Sequence, residues 1–417
     1  MTRFLVYTNP LLGHVYPTVP TLLELSRRGH EVVVYTGAGA AAPLERLGLR
    51  VVAVDPRLEE IENDDWKART PIGAQKRDVQ NLVRRAQLEI PDFERAIETE
   101  RPDALIVDVT AFGASAVAER SRLPWAHVVH FPVPVPSRDV PPYGLGLAPS
   151  DSAVGRIRDA VARRLVFGLL ERTVLPSIND MRASLGLRPL ENATEYFAQV
   201  PPLVLYYSAE PFEYPRSDWP PNFRLVGPGA WDPPSESLGW LDEVDQPLVL
   251  ATCSSDFQND GKLVTAALRG LAGENVFVVA TTAGVDPAGF EAPANARVER
   301  YLPHRPILDR AACVVCHAGM GITQKALAAG VPVCAVPFGR DQFEVARRVA
   351  VADAGVLLSK GKLGPKRLRG AVLEAMSKKA GAERLATAFA SAGGPAAAAD
   401  SLEELRVAAQ AAERTLN

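Results

Sequence analysis

Short apolar runs, each followed by a stretch of helical spacing, set the plan of this chain. Segments 4–8, 31–36, 102–108, 125–130 and 203–208 have the length and composition of buried strands. Helical patterns fill the intervals, at about 17–28, through most of the polar stretch 56–100, and at 111–119 and 153–185. Such alternation predicts parallel sheets with helices on their faces. It then breaks. Proline-rich sequence runs to Pro221, 223–227 reads as one short strand, and 228–236 is rich in Pro, Gly and Ser, which marks a linker. A second set follows, with strands at 246–252, 276–281, 297–300, 313–316 and 333–336, helices at 260–271 and 324–329, and a helical tail from Pro365. The expectation is one α/β unit over 1–208, a linker over 209–236, a second unit over 237–395 and a last helix over 396–417.

Composition narrows the class without naming it. The 417 residues are 47% hydrophobic and 23% charged, ordinary for a globular protein with a sizeable core. The net charge of −3 and the lack of a basic block argue against nucleic acid as a partner. No apolar run reaches membrane-spanning length and no signal-peptide layout is visible, so a cytoplasmic protein without stable membrane insertion is expected. Oligomeric state is left open. Of the four cysteines, Cys313 and Cys316 form a CxxC. They sit three apart on a predicted strand and so on opposite faces, which favours core over metal or redox chemistry.

The candidate chemistry concentrates between Cys313 and Glu344. A predicted strand ends at His317 and runs through Ala318-Gly319-Met320-Gly321-Ile322-Thr323 into a helix. A helix N-terminus offers free N–H groups and a partial positive charge, which suit phosphate. Gly319 and Gly321 keep side chains out of a ligand's way, and His317 adds a hydrogen bond. Asp341 and Gln342 follow the next strand on the same sheet edge, placed to exchange hydrogen bonds with a polyol. Phosphate grip beside polyol grip suggests a nucleotide-sugar.

In the first half, His14 lies between a strand end and a helix, where open α/β sheets bind ligands. The turn has only Gly13 and lacks G-x-G-x-x-G, so a nicotinamide or flavin is not supported. Asp108 ends another strand on that edge and can fix a histidine tautomer, with helix capping as the competing reading. The irregular, proline-rich loop after His130 has the character of a binding loop. His130, Phe131, Tyr143 and Phe167 are candidates to contact an apolar acceptor, with ordinary core the first reading for Phe167.

The stretch from His317 to Gln342 resembles the donor-binding signature of the UDP-glycosyltransferase-like superfamily. These are the inverting family-one glycosyltransferases of GT-B fold, and the likeness is nearest to bacterial macrolide and antibiotic natural-product members. That resemblance implies two facing Rossmann-like domains across a cleft, with the last helix crossing back to the first domain. It implies His14 as catalytic base with Asp108 as its partner. It implies donor binding by Ser255, Tyr301, Leu302, His317, the 319–323 turn, Asp341 and Gln342. Ser254 departs from the glycine usual before Ser255, and Tyr301 and His304 stand where Trp and Gln are common. Lys325 stands where uridine users commonly carry a ribose-binding Glu. Lysine has donors only, so a TDP-deoxyhexose is favoured over a UDP-sugar. No Asp-x-Asp occurs in the chain, and no metal or other cofactor is expected.

The reading is therefore an inverting glycosyltransferase acting on a nucleotide-diphosphate sugar and a small lipophilic hydroxylated acceptor. Two alternatives remain at this point: a sugar-nucleotide epimerase on the same fold, and a non-catalytic homologue that activates a partner transferase. Linkage, sugar and acceptor identity lie beyond the sequence.

Overall fold

A computed structural model describes residues 1–68, 70–234 and 237–416. It contains two wholly parallel sheets. The first has the order β3-β2-β1-β4-β5-β6-β7. Its strands are β1 (Arg3–Tyr7), β2 (Glu31–Thr36), β3 (Arg50–Ala53), β4 (Ala104–Asp108), β5 (Trp125–Val129), β6 (Leu203–Tyr206) and β7 (Phe223–Leu225). The second has the order β10-β9-β8-β11-β12-β13. Its strands are β8 (Leu248–Thr252), β9 (Phe277–Thr281), β10 (Ala296–Glu299), β11 (Ala311–Cys316), β12 (Val333–Ala335) and β13 (Gly355–Leu357).

Central strands are apolar at nearly every position because helices cover both faces. In β1, Phe4 and Val6 pack into one core while Leu5 and Tyr7 pack into another on the opposite face. The same alternation sends Cys316 to one core and Cys313 to the other. All four cysteines are free and buried. Among the described residues, no helix is long and apolar enough to cross a membrane.

Of the boundaries that differ from expectation, three bear on the site. First, the expected linker 209–236 contains β7, which pairs with β6 as the edge of the first sheet. The first unit thus runs past 208, because Phe223 buries its ring in the same core as Tyr206 and Trp219. Second, the helix expected from residue 17 begins earlier: a turn of helix at Leu12–Val15 leads through a 3-10 turn at Tyr16–Thr18 into Val19–Arg27. Pro17 and Pro20 sit in first turns, where a missing N–H costs little. Third, the helix expected over 324–329 spans Met320–Ala328.

The helix Gly394–Leu416 leaves the second unit and lies against Val19–Arg27 of the first. Ala398, Ala399 and Leu402 join the core around Leu22 and Leu25. Arg28 bonds Asp400 at 2.6 Å and Glu403 at 2.9 Å.

Candidate active site

Parallel strands bring their carboxyl ends to one edge, and the site residues lie just beyond those ends. After β1, the turn of helix Leu12–Val15 carries His14. Its Nδ1 is 2.9 Å from Asp108 Oδ2, at the end of β4. The same nitrogen is 3.2 Å from Thr110 Oγ1 and 3.0 Å from His130 Nε2, just past β5. Asp108 is wholly buried, and its Oδ1 accepts from the Thr110 amide at 2.7 Å and hydroxyl at 2.6 Å. Burial alone would raise this carboxyl's pKa, but His14, His130 and Thr110 hold it well below the usual carboxylate range. Burial pushes the His130 imidazole down to about 3. Thr110 was not anticipated, although its place two residues after Asp108 is the spacing of an Asx turn. His127, on β5 three residues before His130 and facing the other way, is bonded to Ser115 at 2.8 Å in the core.

On the second sheet, His317 follows directly after β11, and Ala318 turns the chain with φ of +65°. Gly319 in extended conformation then caps the helix Met320–Ala328. A Cβ on Gly319 would lie 2.3 Å from His317 Nε2, so the glycine is what lets the imidazole fold over the helix end. Helix geometry leaves the first-turn amides unpaired, but the Thr323 amide bonds Gly319 O at 3.1 Å. The expected amide cradle of 319–323 therefore ends at Ile322. Met320 and Thr323 point their side chains into the core. Burial, with Arg340 nearby, lowers His317 to about 4. Its Nδ1 has no hydrogen-bond partner among the described residues and stands 3.8 Å from Asp260.

The polyol pair is split. Asp341 heads the helix Gln342–Val351 with no capping bond from its side chain, and burial raises it to about 6. Gln342 is only 1% exposed. Its Oε1 accepts from the amides of Phe338 and Gly339, and its Nε2 donates to Gln258 at 2.5 Å. The expected direct contact of Gln342 with a sugar gives way to a bracing role, because its hydrogen bonds already hold the turn that presents Asp341. Ser255 is exposed, beyond β8. Ser254 is buried beside it and tied to Gln258 at 2.7 Å.

Tyr301 is 57% exposed and Leu302 is buried beneath it. His304 is 3.2 Å from Thr281 Oγ1 and held near 4 by burial and by Lys325. Lys325 is engaged: its Nζ bonds Asp232 Oδ1 at 2.5 Å, while Asp232 Oδ2 accepts from the Arg305 amide at 3.1 Å. Asp232 lies in the connecting segment, and no sequence pattern marked it.

The two carboxyl edges face each other. Arg340 of the second unit bonds Asp65 of the first at 2.7 Å. Asn63 reaches Asp256 at 3.0 Å. The loop after β5 is gripped by Glu344, which accepts from the amides of Gly144 at 2.9 Å and Gly146 at 2.7 Å. That clamp brings Tyr143 into the fields of Asp341 and Glu344, and burial raises its hydroxyl pKa well above normal. A cavity of about 440 Å³ lies between the units, lined by Leu11, Leu58, Ile61, Trp66, Arg85 and Phe257 among others. The Phe131 ring meets that of His130 edge-on at 5.7 Å. Phe167 is 9% exposed.

Two facing parallel α/β units of this kind, with site residues at both carboxyl edges, define the GT-B fold. Solved structures agree. The calicheamicin glycosyltransferase CalG4 matches with a TM-score of 0.71 over 97% of this chain and 98% of its own, at 22% identity. The glycosyltransferase SsfS6 from Streptomyces sp. SF2575, complexed with thymidine diphosphate, matches with a TM-score of 0.69 over 97% and 100%, at 18% identity. The sequence goes further than the fold. Residues 264–405 match the model of the erythromycin biosynthesis protein CIII-like C-terminal domain, and residues 21–183 match a glycosyl transferase 4-like domain. The 4'-demethylrebeccamycin synthase of Lentzea aerocolonigenes is 36% identical over 385 residues, covering 89% of this chain and 90% of that one. The chain belongs to this family of antibiotic and natural-product glycosyltransferases. It is an enzyme of the glycosyltransferase class, and the epimerase and partner-activator readings are set aside.

Proposed function

We propose that this enzyme transfers a sugar, with inversion, from a TDP-deoxyhexose to a hydroxyl of a small lipophilic natural product. The observation that carries the proposal is the His14–Asp108 pair, 2.9 Å apart, on the edge that faces the open helix end at Met320.

With Nδ1–H given to Asp108, His14 keeps its lone pair on Nε2 and takes the proton of the acceptor hydroxyl as that oxygen attacks the anomeric carbon. Asp108 stabilises the imidazolium that forms. The leaving diphosphate meets the free amides of 320–322 together with His317 and Ser255, and these stabilise its growing charge. Asp341 holds sugar hydroxyls, Tyr301 stacks on the base, and Leu302 offers backbone hydrogen bonds. His130, Phe131 and Tyr143 border the acceptor. No metal is needed, because helix end and histidine supply the positive field.

The donor preference rests on Lys325 and Asp232. Their ion pair spends Lys325 and leaves Asp232 with both oxygens already accepting. Such a carboxylate serves one sugar hydroxyl better than the paired hydroxyls of ribose. The TDP-bound state of SsfS6 is in keeping with this. The test is turnover of matched TDP- and UDP-sugars with EDTA present, with the product anomer read by NMR. TDP preference with inversion supports the proposal; UDP preference, retention, or loss of activity in EDTA overturns the corresponding part.

A further inference from the structure

His14 Nδ1 is asked to satisfy more partners than one nitrogen can. It stands 2.9 Å from Asp108 Oδ2, 3.0 Å from His130 Nε2 and 3.2 Å from Thr110 Oγ1. An imidazole nitrogen offers either one N–H or one lone pair. If the hydrogen goes to Asp108, His130 Nε2 meets a filled N–H. It can then share that hydrogen only by carrying its own proton on Nδ1, and His130 Nδ1 is buried with no partner among the described residues. If His130 instead donates from Nε2, the lone pair of His14 is turned against the carboxylate. Each arrangement of protons leaves a polar atom poorly served.

A divalent cation satisfies all three groups at once. His14 Nδ1, Asp108 and His130 Nε2 offer two nitrogen lone pairs and one carboxylate oxygen, all within 4.8 Å of one another. Their separations of 2.9, 3.0 and 3.9 Å bracket the edge of roughly 3.3 Å of a tetrahedron with bonds of about 2.0 Å. Thr110 binds the far oxygen of Asp108 and so leaves Oδ2 turned toward the histidines, as an outer-shell partner does. His14 retains 20% side-chain exposure, so a fourth position opens to the cleft. Two imidazoles and one carboxylate suit zinc, whereas magnesium prefers oxygen throughout.

We propose that His14, Asp108 and His130 form a Zn²⁺ site, and that zinc bound there switches the catalytic base off. With zinc on Nδ1, the one remaining ring proton of His14 sits on Nε2. No lone pair is then left to receive the acceptor's proton, and the ion competes with catalysis instead of serving it. The switching half rests on His14 being the base; the binding half does not.

The test uses the full-length protein, stripped with chelator and titrated with ZnCl₂. Affinity is read by competition with a fluorescent zinc indicator, and MgCl₂ serves as the control. The availability of His14 is read as its rate of carbethoxylation by diethyl pyrocarbonate, located by peptide mass spectrometry. The expected result is one zinc per chain, His14 protected from the reagent, and both effects lost in His130→Asn. Its affinity should fall by about 100-fold or more, since a lost outer-shell partner alone costs roughly 10- to 100-fold. Thermal shift with TDP checks that His130→Asn is folded, and His130→Gln serves if it is not. Zinc binding that is unchanged in these folded variants, no zinc binding, or zinc binding without protection of His14 overturns the proposal. Activity of His14→Ala separates the two readings: if it still transfers sugar, the base assignment falls whatever zinc does.

Discussion

Arg348 and Glu213 form a two-pronged ion pair across the units, at 2.8 and 3.1 Å, with both side chains sealed from solvent. Glu213 also accepts from Arg216 at 2.8 Å and from Tyr206 at 2.5 Å. Arg348 in turn bonds Glu344, which holds the loop over the cleft. Glu213→Ala takes a buried carboxylate from two guanidinium groups, leaving Arg348 with Glu344 and Arg216 with the Val135 carbonyl. A loss of about 3–5 kcal/mol is expected, read by urea denaturation; a loss below about 1 kcal/mol, the worth of an exposed pair, would show the network to be idle. Burial opposes the charge on Glu213, but Arg348 and Arg216 win and hold its pKa near 2. This contribution is fully present above the unfolded Glu value of about 4.3 and is lost as pH falls toward about 2.

Asp341 behaves in the opposite sense. Its folded pKa of about 6 exceeds the unfolded value of about 3.9. The folded state therefore holds an extra proton between the two, and this group's contribution to stability falls as pH rises across that window. In the proposed donor site, however, Asp341 accepts from sugar hydroxyls and does so best when ionised. Donor KM should rise as pH drops below about 6, and Asp341→Asn should remove that pH dependence while raising KM throughout. A KM that is flat with pH in the native enzyme would count against the assignment.

Gly319→Ala puts a methyl group 2.3 Å from His317 Nε2 and forces the ring away from the helix end. A rise of about tenfold in the TDP dissociation constant, roughly 1.4 kcal/mol, is expected by calorimetry. In His317→Ala the same substitution should cost little, because the ring it displaces is gone. Equal losses in both backgrounds would place the effect in the backbone.

His14→Ala and Asp108→Asn should each lower kcat by about 10²- to 10⁴-fold, with TDP affinity unchanged. Together they should cost little more than His14→Ala alone, since in the proposed dyad Asp108 acts through the ring. Additive losses would mean that the two residues act separately.

Much of this arrangement was legible in the chain, and the limits have physical causes. The strands were readable because burial on both faces demands nearly unbroken apolar runs, as at Ala104–Asp108. The β-strand at Phe223–Leu225 was readable but not its sheet, since three residues carry no mark of their neighbour. His14 was visible as a polar residue between a strand and a helix, and Asp108 as one at a strand end. The inward turn of Gln342 was not, because it depends on Gln258, which lies 84 positions away. Asp232 gave no signal either, for its partner is a lysine from the far side of the second sheet's core sequence.

The helix Gly394–Leu416 completes a core that begins with Phe4. During synthesis, the first sheet therefore leaves the ribosome with the apolar flank of Leu22 and Leu25 uncovered. It stays so until residues 394–402 have been made, after the entire second unit has emerged. The first unit is thus begun before the second and completed after it, and a chain that stops short of residue 394 lacks part of the domain it had already begun.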